Sequence, residues 1–221
     1  MSSHRMSLAH AEVNTARMLE KMIDAAPGFD LIEIEGDAAF LSRRAGAGEN
    51  GTAITEILRA AVSMHRAFHL ERQYVAANLC PCAGCKEAAD LKLKFVAHIG
   101  DVATQTIRER HKLVGIDVIL VHRMLKNPVG ISEYVLLSEE LYRTAEDSLP
   151  GAVHEVAQEL EGFGTVREYF VDVGDLGDSL PPLPAPSWQG RLSRTAAAAG
   201  LGLPYMLGLR RTRRAASAVV E

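Results

Sequence analysis

The chain is 221 residues long, 48% hydrophobic and 24% charged, which supports a packed core and excludes wholesale disorder. Aromatic residues make up only 5% and the net charge is −4, so neither a base-stacking surface nor a basic nucleic-acid binder is expected. The three cysteines, Cys80, Cys82 and Cys85, crowd into six residues, which is no secreted disulfide framework.

The opening MSSHRMSLAHAEVN lacks the apolar run of a secretory signal. No stretch reaches the roughly 20 apolar residues of a membrane span. The longest candidate, residues 195–209, is broken by Gly200, Gly202, Pro204 and Gly208. A cytoplasmic, reducing setting is therefore expected.

Leu8, Ala11, Thr15, Met18, Leu19, Met22 and Ile23 recur at helical spacing and predict a helix ending before Pro27-Gly28. Apolar and charged residues alternate through residues 31–35, and residues 31–41 read as two strands turned at Gly36-Asp37. After a polar loop, Ile54, Ile57, Leu58, Ala61, Met64 and Phe68 mark a second helix, with Thr52 near its start. Residues 91–97 alternate like a strand with one wet face. Residues 118–121 form a short apolar run leading to His122 and Arg123. Residues 134–137 and 167–173 read as strands, and residues 149–160 as a short helix. Helix, strand pair, helix, strands, helix and strand in that order predict an α+β fold with an antiparallel or mixed sheet.

Charge divides the chain. Residues 188–221 carry six arginines and one acid, a net +5 that leaves −9 on the rest. A Pro-rich run, residues 180–187, lies before that basic segment and reads as an extended linker. The organisation predicted is one α+β domain over residues 1–178, a linker over 179–190 and an Arg-rich tail over 191–221. Arg210, Arg211, Arg213 and Arg214 suit an anionic lipid or nucleic-acid surface; without aromatics or a clean amphipathic face, a solvated tail or docking helix is the plainer expectation.

Cys80-Pro81-Cys82-Ala83-Gly84-Cys85 concentrates soft ligands suited to zinc or an iron–sulfur cluster. A closed zinc site needs a fourth ligand. His65 and His69 stand four apart on the predicted second helix, so they share a face, and either is a candidate, His69 in particular. The plain alternative is three small buried thiols and two surface histidines.

Four segments in order resemble the catalytic domain of class III adenylate and guanylate cyclases. Ile34-Glu35-Gly36-Asp37-Ala38 resembles the hairpin whose Gly-Asp turn presents a metal-binding carboxylate. Residues 91–100, ending at Gly100, are similar to the central strand of that family. Gly115 and Arg123 have the spacing of a Gly and a phosphate-contacting Arg, and residues 161–170 resemble the last hairpin. The Cys-x-Cys-x-x-Cys insert and the HRMLKN run at residues 122–127 are similar to a bacterial branch of cyclase-like proteins of unassigned function.

This resemblance spans about residues 8–173 and implies a ferredoxin-like nucleotide-cyclase fold: a mixed sheet with helices on one face, the sequence given opening at the helix that follows the family's first strand. It implies Asp37 as a metal carboxylate, Gly36, Asp37 and Gly115 at the nucleotide, and Arg123 as the catalytic phosphate contact. Asp37 and Arg123 also have ordinary readings, as a turn residue and as a salt-bridge partner within the fold. Other positions depart from the family. Glu33 stands where a base-reading Lys is expected, Lys112 near its acidic partner, Ile119 at the ribose-orienting Asn and Glu161 at a phosphate-holding Lys. The resemblance therefore implies a degenerate binding or regulatory module, cyclase-like without cyclase activity, and homodimeric as that family is. The alternative is an active nucleoside triphosphate cyclase, a lyase, whose first strand lies upstream or on a partner. Zinc is expected at the cysteine loop, and magnesium or manganese only with a bound nucleotide.

Overall fold

The computed structural model describes residues 2–44, 46, 50–77, 80, 82–144, 149–177 and 180–206. Pro81, the boundary expected near residue 178 and the arginines at 210–214 lie outside the described residues. The chain forms two compact units, one of residues 1–18, 69–91 and 184–221, the other of residues 19–68 and 92–183. In chain order the elements are α1 (Ser2–Asp24), β1 (Asp30–Glu35), β2 (Ala38–Ser42), α2 (Asn50–Ala76), α3 (Ala83–Ala89), β3 (Phe95–Ala97), β4 (Ala103–Ile107), β5 (Arg110–Val114), α4 (Ile116–Met124), β6 (Tyr134–Ser138), α5 (Glu139–Arg143), β7 (His154–Leu160), β8 (Gly164–Asp172), α6 (Val173–Gly177) and α7 (Trp188–Met206).

The larger unit is α+β, as the order of periodicities predicts. Its main sheet runs β3-β6-β8-β7 and is mixed: β3 is parallel to β6, and the other neighbours are antiparallel. β1 and β2 form a separate two-stranded sheet, as do β4 and β5. All five residues of β6 are buried, because successive side chains enter opposite layers. Val135 and Leu137 pack with Ile54, Leu58 and Ala61 of α2. Tyr134 and Leu136 pack with Leu120 and Met124 of α4. Helices therefore cover both faces of the main sheet, not one face as expected; α4, expected only as an apolar run, supplies the second layer.

One further reading is corrected. Residues 154–160, expected to be helical, form β7. His154 to Leu160 pair one for one with Phe170 to Gly164, and Val156, Gln158 and Leu160 alternate with exposed neighbours. The sheet edge offered by β8 outweighs a short helical pattern, since isolated short helices are marginal. The β4–β5 hairpin carried no apolar alternation, and β4 is exposed throughout. The β1–β2 turn forms at Gly36-Asp37, with Gly36 at φ +64°, a conformation only glycine adopts without cost.

The smaller unit is helical. Its part of α1 buries His10, Asn14 and Met18 at successive four-residue steps, one stripe of an α-helix. Glu71 of α2 is buried and paired with Arg17 of α1 and Arg194 of α7. Arg194 also lies over the Tyr74 ring, and Arg191 Nε donates to the Ala77 carbonyl at the end of α2. The last three residues of the expected linker, 188–190, and residues 191–206 of the expected tail thus form one helix, docked by Arg191 and Arg194.

Candidate functional site

The cysteine loop and α1 build the one cluster of thiols in the chain. The ligand atoms of His10, Cys80, Cys82 and Cys85 all lie within 4.8 Å of one another. His10 Nδ1 is 3.3 Å from Cys80 Sγ, 3.5 Å from Cys82 Sγ and 3.6 Å from Cys85 Sγ. None of the three cysteines is in a disulfide. His10 and Cys85 are buried; Cys80 and Cys82 are partly exposed.

Local structure explains how the sulfurs converge. Cys82 is the N-cap residue of α3, with φ −68° and ψ 155°, and its side chain makes no capping hydrogen bond. Cys85 follows inside the first turn, so three residues of helix bring its sulfur to the same side. Gly84 lets α1 approach: its N–H donates to Ser7 Oγ at 2.7 Å, and a β-carbon there would strike the Ser7 backbone carbonyl. One turn along α1 from His10, Asn14 Nδ2 donates to Cys85 Sγ at 3.6 Å.

The histidine in this cluster is His10, not His69 or His65. His69 is buried within α2, seven residues before the helix ends at Ala76. At 1.5 Å per residue that is about 10 Å of helix before the chain can turn toward Cys80. His65 Nε2 lies instead 3.6 Å from Glu133 Oε2. No sequence pattern pointed to His10, which is 70 residues from Cys80.

The other expected site residues are dispersed. Asp37 is exposed at the β1–β2 turn and makes no side-chain hydrogen bond or ion pair among the described residues. Arg123, near the end of α4, makes no ion pair there either; its guanidinium lies 5.7 Å from the centre of the Phe163 ring, beside Gly162. Gly115 precedes α4 at φ +149°, and a β-carbon would come within 3.1 Å of the Asp101 carbonyl oxygen. That close approach gives Gly115 a backbone role. Lys112 Nζ donates to Glu33 Oε1 at 2.9 Å and lies 2.8 Å from Oε2. Ile119 and Glu161 are exposed.

The larger unit also holds two polar groups that the sequence did not single out, the half-buried His98 and the buried Glu168. His98 Nε2 lies 3.0 Å from Asp117 Oδ1, and its Nδ1 lies 2.8 Å from Ser138 Oγ. The order Ser-His-Asp is not a nucleophilic triad, because Ser138 is fully buried and its Oγ already accepts from the Leu141 N–H. Glu168 is also fully buried, with both carboxylate oxygens 2.8 Å from Gln158 Nε2. Burial pushes its carboxyl above the usual range, against the Gln158 hydrogen bond. Tyr134 is raised as well, first by burial and then by the Glu168 charge, while its hydrogen bond to Asn127 opposes.

Among the described residues no helix is long and apolar enough to cross a membrane. The chain is similar to the uncharacterised protein Rv2561/Rv2562 of Mycobacterium tuberculosis, with 34% identity over 197 residues, 89% of this chain and 90% of that protein. A family model described as "Protein of unknown function (DUF2652)" matches residues 15–134, which include all three cysteines. With more than half its length matched, the chain belongs to the DUF2652 family.

Proposed function

We propose that this chain is a degenerate nucleotide-cyclase-like module that binds or regulates without cyclising a nucleotide. The observation carrying the reading is the Lys112–Glu33 ion pair. By the resemblance, these two residues stand where a cyclase reads its base, and here they satisfy each other. Arg123, at the position of a phosphate contact, lies against Phe163, and Glu161 adds a negative charge where a triphosphate would need a cation. A homodimer suits the reading, because cyclases of this class form their sites between two copies. Zinc at the cysteine loop belongs to the same reading as a resident structural ion; magnesium or manganese would enter only with a nucleotide.

The test is incubation of the full chain with ATP or GTP and Mg²⁺ or Mn²⁺, with product measured against a no-enzyme blank. No cyclic AMP or cyclic GMP above the blank is expected. Product well above the blank and abolished by Asp37→Ala would overturn the proposal and favour an active cyclase.

A further inference from the structure

We infer that His10 Nδ1, Cys80 Sγ, Cys82 Sγ and Cys85 Sγ hold a single tetrahedral zinc ion that clasps α1 to the cysteine loop and α3. This deepens the metal part of the reading above and needs no nucleotide.

Distances decide between possible occupants. Zinc–sulfur bonds of about 2.3 Å and a zinc–nitrogen bond of about 2.0–2.1 Å, set at the tetrahedral angle, place sulfur and nitrogen about 3.6 Å apart. The three observed separations are 3.3, 3.5 and 3.6 Å. The same bonds place two sulfurs about 3.8 Å apart. All four ligand atoms fall within 4.8 Å of one another, as one shared centre requires. A binuclear iron–sulfur cluster divides its four ligands between two irons and needs a wider set. Three thiolates and one imidazole in tetrahedral array suit zinc among the common divalent ions.

Hydrogen bonding alone does not account for the cluster. A neutral imidazole nitrogen accepts one hydrogen bond, yet three sulfurs surround His10 Nδ1 at nearly equal distance. His10 Nε2 is buried with no hydrogen-bond partner. Ligation through Nδ1 fixes the proton on Nε2, and a metal bond at Nδ1 offsets the cost of leaving that group unpaired. Cys82 occupies a capping position and caps nothing, so its sulfur remains directed at the centre.

Three thiolates and a neutral imidazole around Zn²⁺ carry one net negative charge. Asn14 answers part of it through its N–H to Cys85 Sγ, the kind of outer contact that orients a ligand and tunes affinity. The partly exposed Cys80 and Cys82 give an ion a way in, while His10 and Cys85 close the site from inside. Four protein ligands leave no position for water or substrate, so the ion is structural and not catalytic.

The experiment is metal analysis of the full chain purified without added metal, paired with thiol titration and the visible spectrum of the cobalt-substituted protein. Expected are one zinc per chain, thiols shielded until a chelator is added, and the absorption of tetrahedral, thiolate-bound Co²⁺. Cys82→Ser and His10→Ala should each retain at least about tenfold less zinc against a chelator, and Asn14→Leu about 10- to 100-fold less. His10→Cys should restore binding as a four-thiolate site, which separates a ligand role from a folding role. His69→Ala should bind like the parent. Metal-free folded protein with three titrating thiols would overturn the proposal. So would iron with acid-labile sulfide, or zinc binding insensitive to His10→Ala. Cyclic nucleotide formation would sink the functional reading above and leave this one standing.

Discussion

Lys112 Nζ sits 2.9 and 2.8 Å from the two carboxylate oxygens of Glu33, joining β5 to β1 by an ion pair. Both side chains keep partial exposure, so solvent screens the pair. A double-mutant cycle with Glu33→Gln and Lys112→Met, read by urea unfolding, should give a coupling of no more than about 1 kcal/mol. The reversed pair, Glu33→Lys with Lys112→Glu, should recover most of what either reversal alone loses. A reversed pair no more stable than the single reversals would show that the two side chains do not interact.

Glu168 makes stability depend on pH. Its folded-state carboxyl titrates above the ordinary 4.5, because burial penalises the charged form. The native state therefore favours the proton. That contribution is complete below the unfolded value and is lost as pH rises through the folded value. Glu168→Gln removes the charge and keeps the hydrogen-bonding shape. It should raise stability at pH 8, a gain that shrinks as pH falls toward 4.5. Unfolding curves at several pH values check this, and a gain independent of pH would be the contrary result.

The β4–β5 turn places Arg108 at φ +57°, the only left-handed non-glycine residue among the described ones. A side chain there costs about 1 kcal/mol, partly offset in glycine by greater freedom when unfolded. Arg108→Gly should therefore stabilise by about 0.5 kcal/mol. Arg108→Pro, unable to reach a positive φ, should destabilise by more. Thermal melts of the two variants should move in opposite directions.

Gly84 faces the backbone of α1, where a neighbouring carbonyl cannot rotate away as a long side chain can. Gly84→Ala should push Ser7, and with it His10, away from the loop. The expected result is a loss of about 1–3 kcal/mol of stability together with weaker zinc retention. Melting and chelator competition on one preparation would show whether both change; unaltered zinc retention would separate the α1–α3 approach from the metal site.

Local information made much of the chain legible. The spacing of Met18, Met22, Ile54, Leu58 and Ala61 located two helices, and all five residues are in the core. Gly36 and Asp37 announced a hairpin turn, since that backbone conformation nearly demands glycine. Three cysteines in six residues announced a cluster of soft ligand atoms, and their sulfurs do converge, within 4.8 Å of one another and of the His10 ring nitrogen. What the sequence left open were features that depend on a distant partner. β7 became a strand because β8 offered an edge, not because its own residues insisted. Helices cover both faces of β6 because α4, a nine-residue helix with little pattern of its own, packs on Tyr134 and Leu136. The histidine at the cysteines was decided in the same way. His69 was the near candidate along the chain, but a rigid helix carries it away from the loop, while the close approach at Gly84 sets α1 beside α3 and delivers His10. Spacing along a chain fixes which side chains share a face; only packing between elements fixes which faces meet.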